Sequence, residues 1–344
     1  MDNGCYVGVL LLDFSRAFDT VSHQGLLNEL TNIGCGPKTV SWFSSYLSDR
    51  QQRTKHHSET TPWQTVTRGV PQGSGLSPIL FNIYVRELPA CCTSEIYQFA
   101  DDTTASESDQ KLEIICDKLT NTFNAVEEYC KSRELIINTA KTQLIILKPA
   151  GKTIPDDVQL CLNGITLKPE KTVKLLGVTI DQHLTFGPHV KETVTRCQGT
   201  LGVLARSVPY MTTELLKLMY TGIIRSSLEY CSALLLPVAN SHKKKLEIVE
   251  KKAARIILRQ PRDAHAEPLL KELHLEPLDE RREAHAMKVI NSSLQGNCHP
   301  ALKNMFTVLP DGSLEVLDTR TAIGKRRFGI VGAKLFTKKQ NIQL

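Results

Sequence analysis

The chain has 344 residues, 41% of them hydrophobic and 23% charged, with a formal net charge of +6. That length allows two or three domains with real cores, and the composition indicates neither disorder nor a membrane protein. The ten cysteines are scattered without a C-x-x-C pair, so neither a zinc site nor a disulfide framework is expected.

The first predicted element is a strand over residues 6–13. Its apolar run Val7-Gly8-Val9-Leu10-Leu11-Leu12 reads as buried on both faces. The run finishes on Asp13, at the rim of a core, where a bare charge is expensive. The segment before it, Met1-Asp2-Asn3-Gly4-Cys5, has no basic region, so no secretory signal is expected and the protein reads as intracellular, nuclear or cytoplasmic. After Ser22, the residues Leu26, Leu27, Leu30 and Ile33 make a helical stripe that Gly34 stops. Pro37 suits the first turn of a second helix, with Val40, Phe43 and Leu47 on one face. Residues 50–57 and 61–68 read as a polar hairpin.

A glycine-rich loop follows, Gly69-Val70-Pro71-Gln72-Gly73-Ser74-Gly75-Leu76, and then a helix with Ser77 as cap and Pro78 in its first turn. Residues 95–100 and 103–105 read as strands of a tight hairpin with Asp101 and Asp102 at its tip. Adjacent like charges repel, so such a pair is stable when exposed or when a cation sits on it. Together with Asp13 these make three acids from two strands, able to meet around one or two Mg²⁺ ions, which prefer hard oxygen ligands. Two-metal sites of that kind run phosphoryl transfer. Asp109 caps a long helix with the stripe Leu112, Ile115, Cys116, Leu119, Phe123, Val126 and Cys130. Residues 136–138 and 142–147 read as extended around Lys141, with further strand-like pieces at 158–162 and 173–180.

From Pro188 the pattern turns helical. Val190, Val194, Cys197, Leu201 and Leu204 make one stripe, and Leu215, Met219 and Ile223, with Leu228 and Cys231, a second. Leu246, Val249, Ala253 and Ile256 make a third, beside Lys243, Lys244, Lys245, Lys251, Lys252, Arg255 and Arg259. The pattern places domain boundaries near 185 and 260, and the last part, 261–344, is less regular. Residues 1–185 hold 17 Lys+Arg against 21 Asp+Glu, and residues 186–344 hold 25 against 15. A mildly acidic front and a basic back suit a metal-dependent enzyme that grips a polyanion.

Taken in order, these stretches resemble the reverse transcriptases of non-LTR, LINE-type (jockey-like) retrotransposons. Leu12-Asp13-Phe14-Ser15-Arg16-Ala17-Phe18-Asp19-Thr20-Val21 resembles their motif A. The loop from Gly69 to Ser74, with Leu76-Ser77-Pro78-Ile79-Leu80-Phe81, resembles motif B, and Phe99-Ala100-Asp101-Asp102 resembles motif C. Asn138 with Lys141-Thr142 resembles motif D, and Leu175-Leu176-Gly177-Val178 with Ile180-Asp181 resembles motif E. Segments around Leu228-Glu229-Tyr230 and from Arg320-Thr321 to Leu335-Phe336 resemble the region after the polymerase, so the resemblance covers nearly the whole chain.

The resemblance implies an α+β fold: a right-hand polymerase palm, an antiparallel sheet backed by helices, with partial fingers over 1–185. A helical basic thumb over 186–260 and a C-terminal region over 261–344 would follow. It implies that Asp13, Asp101 and Asp102, with the Phe14 carbonyl, hold two Mg²⁺ ions, with Mn²⁺ as a substitute. Lys141 would serve the leaving pyrophosphate, Phe18 would exclude a 2′-hydroxyl, and Gln72 and Gly73 would lie near nucleotide and template. The basic residues from Lys243 to Arg259 would hold the duplex. The implied partners are an RNA template, a DNA primer and dNTPs, with no membrane.

Plain readings stand beside these: Phe18 as a core aromatic, Gln72 as a polar loop residue, Lys141 as a solvated turn lysine, the basic run as a solvated helix face, Asp19 as a cap or turn. Only twelve residues precede Asp13. The resemblance therefore implies a missing fingers segment and endonuclease, impaired polymerisation, and exposed apolar residues around Val70, Ile79 and Phe81. The second function class is a non-catalytic nucleic-acid-binding remnant.

Overall fold

A computed structural model describes residues 4–149, 151–319, 321 and 324–343. Arg320, part of the resemblance to the post-polymerase region, lies outside the described residues. Contacts divide the chain into two compact units, one of residues 5–148 and 152–173, the other chiefly of residues 174–344.

The first unit runs β1 (Tyr6–Leu12), α1 (Ala17–Thr20), α2 (His23–Asn32) and α3 (Pro37–Leu47). Four short strands follow, β2 (Gln51–Gln52), β3 (Lys55–His56), β4 (Glu59–Thr60) and β5 (Gln64–Thr65). Then come α4 (Ser77–Tyr84), β6 (Glu95–Phe99), β7 (Asp102–Asp109), α5 (Leu112–Ser132), β8 (Gln143–Leu147), β9 (Leu160–Leu162) and β10 (Ile165–Leu167). Four of these strands make an antiparallel sheet in the order β6-β7-β1-β8. The expected stripe of α5 is its buried face: Ile115, Leu119, Phe123, Val126 and Cys130 join Leu10 and Leu12 of β1 in one core. β1 departs from expectation, because burial alternates along it instead of covering both faces. The sheet is antiparallel with one face packed, which leaves every second side chain half open. Val70 and Phe81 are core residues and only Ile79 of that expected trio is exposed, since α4 turns Leu80, Phe81 and Tyr84 inward.

Buried Glu29 of α2 is clamped by Arg86 and by Arg133, the residue that closes α5, at 3.0 and 2.6 Å. A buried carboxylate is tolerable only when paired in this way. The clamp ties the helix after the Asp13 segment to the helix that backs the sheet.

β11 (Thr172–Leu175) begins in the first unit and pairs with β12 (Val178–Asp181), and the rest of the second unit is largely helical. These are α6 (Gly187–Ser207), α7 (Thr213–Met219), α8 (Ser226–Glu229), α9 (Asn240–Ile257), α10 (Ala266–Glu272), α11 (Leu278–Leu294), α12 (Pro300–Lys303) and α13 (Phe328–Gln343). Val190, Cys197, Leu201 and Leu204 of α6 pack with Leu246, Val249, Ala253 and Ile257 of α9. The expected stripe Leu215, Met219, Ile223 is displaced by one residue. Leu216, Tyr220, Ile224 and Leu228 are buried, and Leu215 and Ile223 are exposed. A π-helical turn over Tyr220–Arg225 stretches the repeat to four residues per step. Among the described residues no helix is long and apolar enough to cross a membrane.

Candidate active site

The pairing of β1 with β7 puts the acids together. Leu12 lies opposite Thr103, so the next step along both strands brings Asp13 opposite Asp102. Phe99 pairs with Asp102, leaving Ala100 and Asp101 as a two-residue hairpin loop. Ala100 has φ of +55°, the positive value that a II′ turn needs at its first loop residue. Asp13, Asp101 and Asp102 therefore share one end of the sheet.

They also feel one another. Partial desolvation, then the charges of Asp101 and Asp13, push the Asp102 carboxyl above the ordinary carboxylate range. Asp102 as a whole is exposed, so its desolvation is incomplete and water partly screens the repulsion. Among the described residues no three His, Cys, Asp or Glu side chains form a closed metal-binding group. In kind the carboxylates fit Mg²⁺, a hard ion that takes one or two carboxylates and keeps several waters, so three acids would be shared between two ions. Their mutual repulsion is the deficit that a cation would offset.

Phe14 extends this edge. It bridges Ile137, with the Asn138 N–H donating to the Asp13 carbonyl at 2.7 Å and the Ser15 N–H to the Ile136 carbonyl at 2.9 Å. Neither bond uses the Phe14 carbonyl. The bridge carries the Lys141 turn to the acids, where the Lys141 Nζ stands 3.9 Å from Asp13 Oδ2. The Lys141 side chain is mostly open to solvent and that of Asp13 partly so, and such a pair contributes about 0–1 kcal/mol.

The glycine-rich loop is tied to the segment after Asp13. Gly69 N–H donates to the Val21 carbonyl and Val70 N–H to the Phe18 carbonyl, each at 2.8 Å. Gly69 has φ of +87°, and a Cβ there would meet the Asp19 backbone at 2.8 Å. Gln72 donates through its side-chain amide to Asp19 Oδ1 at 2.8 Å. Gly73 has φ of +80° with open space around it. Nothing local in the sequence predicts this partner for Asp19, since 53 positions separate it from Gln72. The half-buried Phe18 ring stacks on Phe81, centroids 4.7 Å apart.

The seven basic residues expected to hold the duplex separate into groups. Lys244, Lys245, Lys251 and Lys252 share one face of α9 with exposed Ile248, opposite the buried Leu246, Val249 and Ala253. Arg255 donates to the Ala264 carbonyl at 2.8 Å. Arg259 donates to the carbonyls of Val208 and Met211. Lys243 stands apart, lining a cavity of about 260 Å³ with Glu247, Asp279, Arg282 and Glu283.

Residues 2–180 match the family described as reverse transcriptase (RNA-dependent DNA polymerase). The chain is 26% identical over 303 residues to the probable RNA-directed DNA polymerase from transposon BS of Drosophila melanogaster, covering 83% of this chain and 33% of that protein. It is 23% identical to the RNA-directed DNA polymerase from mobile element jockey of the same species, covering 95% of this chain and 36% of that protein. The chain thus spans only a minor part of the length of either relative. Among solved structures, apo telomerase from Candida Tropicalis aligns with a TM-score of 0.41 at 10% identity, covering 74% of this chain and 42% of that one.

Proposed function

Since the chain belongs to the reverse transcriptase (RNA-dependent DNA polymerase) family, in its non-LTR, LINE-type retrotransposon branch, we propose that the Asp13–Asp101–Asp102 edge carries two-metal nucleotidyl transfer from a dNTP to a primer 3′-hydroxyl. One observation carries this reading: the ends of two paired strands and one hairpin loop bring three carboxylates to one edge. The primer 3′-oxygen bonds to the α-phosphorus as the bond from that phosphorus to the pyrophosphate oxygen breaks; pyrophosphate leaves and the hydroxyl proton passes to water. Asp13, Asp101 and Asp102, with the Phe14 carbonyl, would hold Mg²⁺ or in its place Mn²⁺. Bound there, such ions would neutralise phosphate charge and lower the pKa of the attacking hydroxyl.

Lys141, beside Asp13, gives a proton to the departing pyrophosphate or balances its charge. The Phe18 ring, stacked on Phe81, excludes a 2′-hydroxyl. Gln72 and Gly73 line the nucleotide and template. In this reading residues 1–185 make the palm with partial fingers, residues 186–260, from α6 to α9, form the thumb, and the lysine face of α9 holds the duplex through its phosphates.

The lysine face needs no metal, and it favours a second reading: a nucleic-acid-binding protein without catalysis. Primer extension decides between them. The chain is given a primed RNA template, dNTPs and Mg²⁺ or Mn²⁺. Extension that falls at least a thousandfold in Asp102→Asn supports the polymerase. Duplex binding without extension under either ion leaves the second reading.

A further inference from the structure

The chain has two tryptophans, and both lie between β1 and the glycine-rich loop. Trp42 is 55% exposed and Trp63 is 57% exposed. Each belongs to a stacked arrangement with a cation in it. Trp42 lies nearly parallel to Tyr46 on α3, with an interplanar angle of 8° and centroids 5.5 Å apart. The Arg50 guanidinium stands 5.1 Å from the Tyr46 ring centre. β2 pairs with β5 so that Gln52 faces Gln64, which places Arg53 opposite Trp63. The Arg53 guanidinium covers the Trp63 ring at 4.5 Å.

The charge of this stretch differs from its surroundings. Residues 37–68 hold five Lys+Arg against two Asp+Glu, inside a front part, 1–185, that is acidic overall. Flat rings alternating with guanidinium groups suit unpaired nucleotides. Every base offers a π-face for stacking, and the phosphates meet the cations. Trp, Tyr and Arg also anchor protein interfaces, so what favours a polynucleotide here is the net positive charge of the stretch combined with rings that alternate with guanidinium groups. The surface is also tied to the candidate site, since the Tyr46 hydroxyl donates to Ser74 Oγ at 2.8 Å, two residues after Gln72.

We propose that Trp42, Tyr46, Arg50, Arg53 and Trp63 form a binding platform for a single-stranded polynucleotide, whose unpaired bases stack on the rings. Under the polymerase reading the bound strand is the template approaching Gln72 and Gly73. Binding itself does not depend on that reading, because no acid or metal takes part.

Tryptophan fluorescence of the full chain reports this surface alone, since no tryptophan lies elsewhere. Titration with a short oligouridylate should quench it saturably and in a salt-dependent way. Fluorescence anisotropy of the labelled oligonucleotide should show Trp42→Ala weakening Kd about tenfold, with Trp42→Phe keeping most of the affinity. Arg53→Ala lies on an exposed hairpin away from the core, so it tests the surface without threatening the fold. It should weaken binding and reduce the salt slope by about one. Oligonucleotide bound by anisotropy with unquenched tryptophans, or undiminished affinity in Trp42→Ala and Arg53→Ala together, overturns the proposal and leaves the patch as a protein contact. Primer extension run in parallel keeps the two readings apart. Extension with unquenched tryptophans overturns the platform alone, and quenching without extension overturns the polymerase alone.

Discussion

The side-chain amide of Gln72 donates to the carboxylate of Asp19 at 2.8 Å, joining the glycine-rich loop to the segment that follows Asp13. The bond is exposed, and two backbone hydrogen bonds from Gly69 and Val70 hold the same junction. Gln72→Ala or Asp19→Ala should therefore change stability by less than about 1 kcal/mol. Their effect should fall on catalysis, because a misplaced positioning group can cost up to about a hundredfold. A double-mutant cycle on the KM for dNTP is the check. Strict additivity of the two changes would mean that the residues do not act as a unit.

The two glycines of this loop should respond differently to alanine. Gly73 has a positive φ and open space, so Gly73→Ala should cost about 1–2 kcal/mol from backbone strain alone. Gly69→Ala adds a collision with the Asp19 backbone and should cost more than that. Denaturant midpoints of the two variants give the comparison. If Gly73 also lies against the nucleotide, Gly73→Ala should lose more activity than its stability change explains. Equal stability losses in the two variants would contradict the collision.

The acid edge was legible because each part is local: an apolar run ending on Asp13, a hairpin tip at Asp101 and Asp102, and an amphipathic stripe on α5. The strand pairing that joins them is the simplest antiparallel arrangement of those pieces. What escaped the sequence was long-range or a matter of phase. Nothing near Asp19 signals Gln72. Apolar residues on both sides of the segment from Leu215 to Leu228 made two stripes equally plausible, and the π turn at Tyr220–Arg225 selected the one through Leu216, Tyr220 and Ile224. The double burial expected of β1 failed because an apolar run cannot report which face a helix covers. Nothing in the sequence marks Trp42 and Trp63, since their meaning depends on the rings and arginines that the fold sets beside them.

Glu250 gives the second unit a pH dependence. Burial pushes its carboxyl up to about 7 from 4.5, and the Leu278 N–H, Arg225 and Tyr220 only partly offset this. The folded state holds this proton more tightly than the unfolded chain. The associated stability is therefore complete below about pH 4.5 and declines as pH rises through about 7. Glu250→Gln should be more stable than the parent at pH 8, by on the order of 2–3 kcal/mol, and nearly equal to it at pH 4.5. Thermal melts of both proteins across that range give the answer. A gap that stays constant with pH would rule out Glu250 as the cause.

The basic residues of the second unit should divide by what their side chains do. Lys244, Lys245 and Lys252 are exposed and form no ion pair among the described residues. Alanine at each should weaken duplex binding and lower the salt slope by up to about one, with little change in stability. Arg259 bonds the carbonyls of Val208 and Met211, so Arg259→Ala should lower stability by about 1–2 kcal/mol and leave the salt slope alone. Binding isotherms over a salt series, with a melt of each variant, separate the two behaviours. A reduced slope in Arg259→Ala would place that arginine on the duplex after all.

Asp13 and Asp102 lie one step beyond the last β1–β7 pair, Leu12 with Thr103, and Asp101 occupies the adjoining loop. Without a cation their repulsion opposes the fold. The double variant Asp101→Asn/Asp102→Asn should therefore melt above the parent in chelator, because it removes like charges without changing shape. Mg²⁺ should reverse the order. An ion that binds the folded chain and not the unfolded one adds stability of RT ln(1 + [L]/Kd), about 2.7 kcal/mol at a hundredfold excess over Kd. The parent should gain this and the double variant should not. Lys141→Ala should leave the gain intact or enlarge it, because its ammonium stands 3.9 Å from Asp13 and competes for the same charge. Melting curves in chelator and in a Mg²⁺ series, with the parent and both variants, contain all of these comparisons. A Mg²⁺ gain equal in the parent and the double variant would place the ion away from this edge, and the two-metal reading would fail with it.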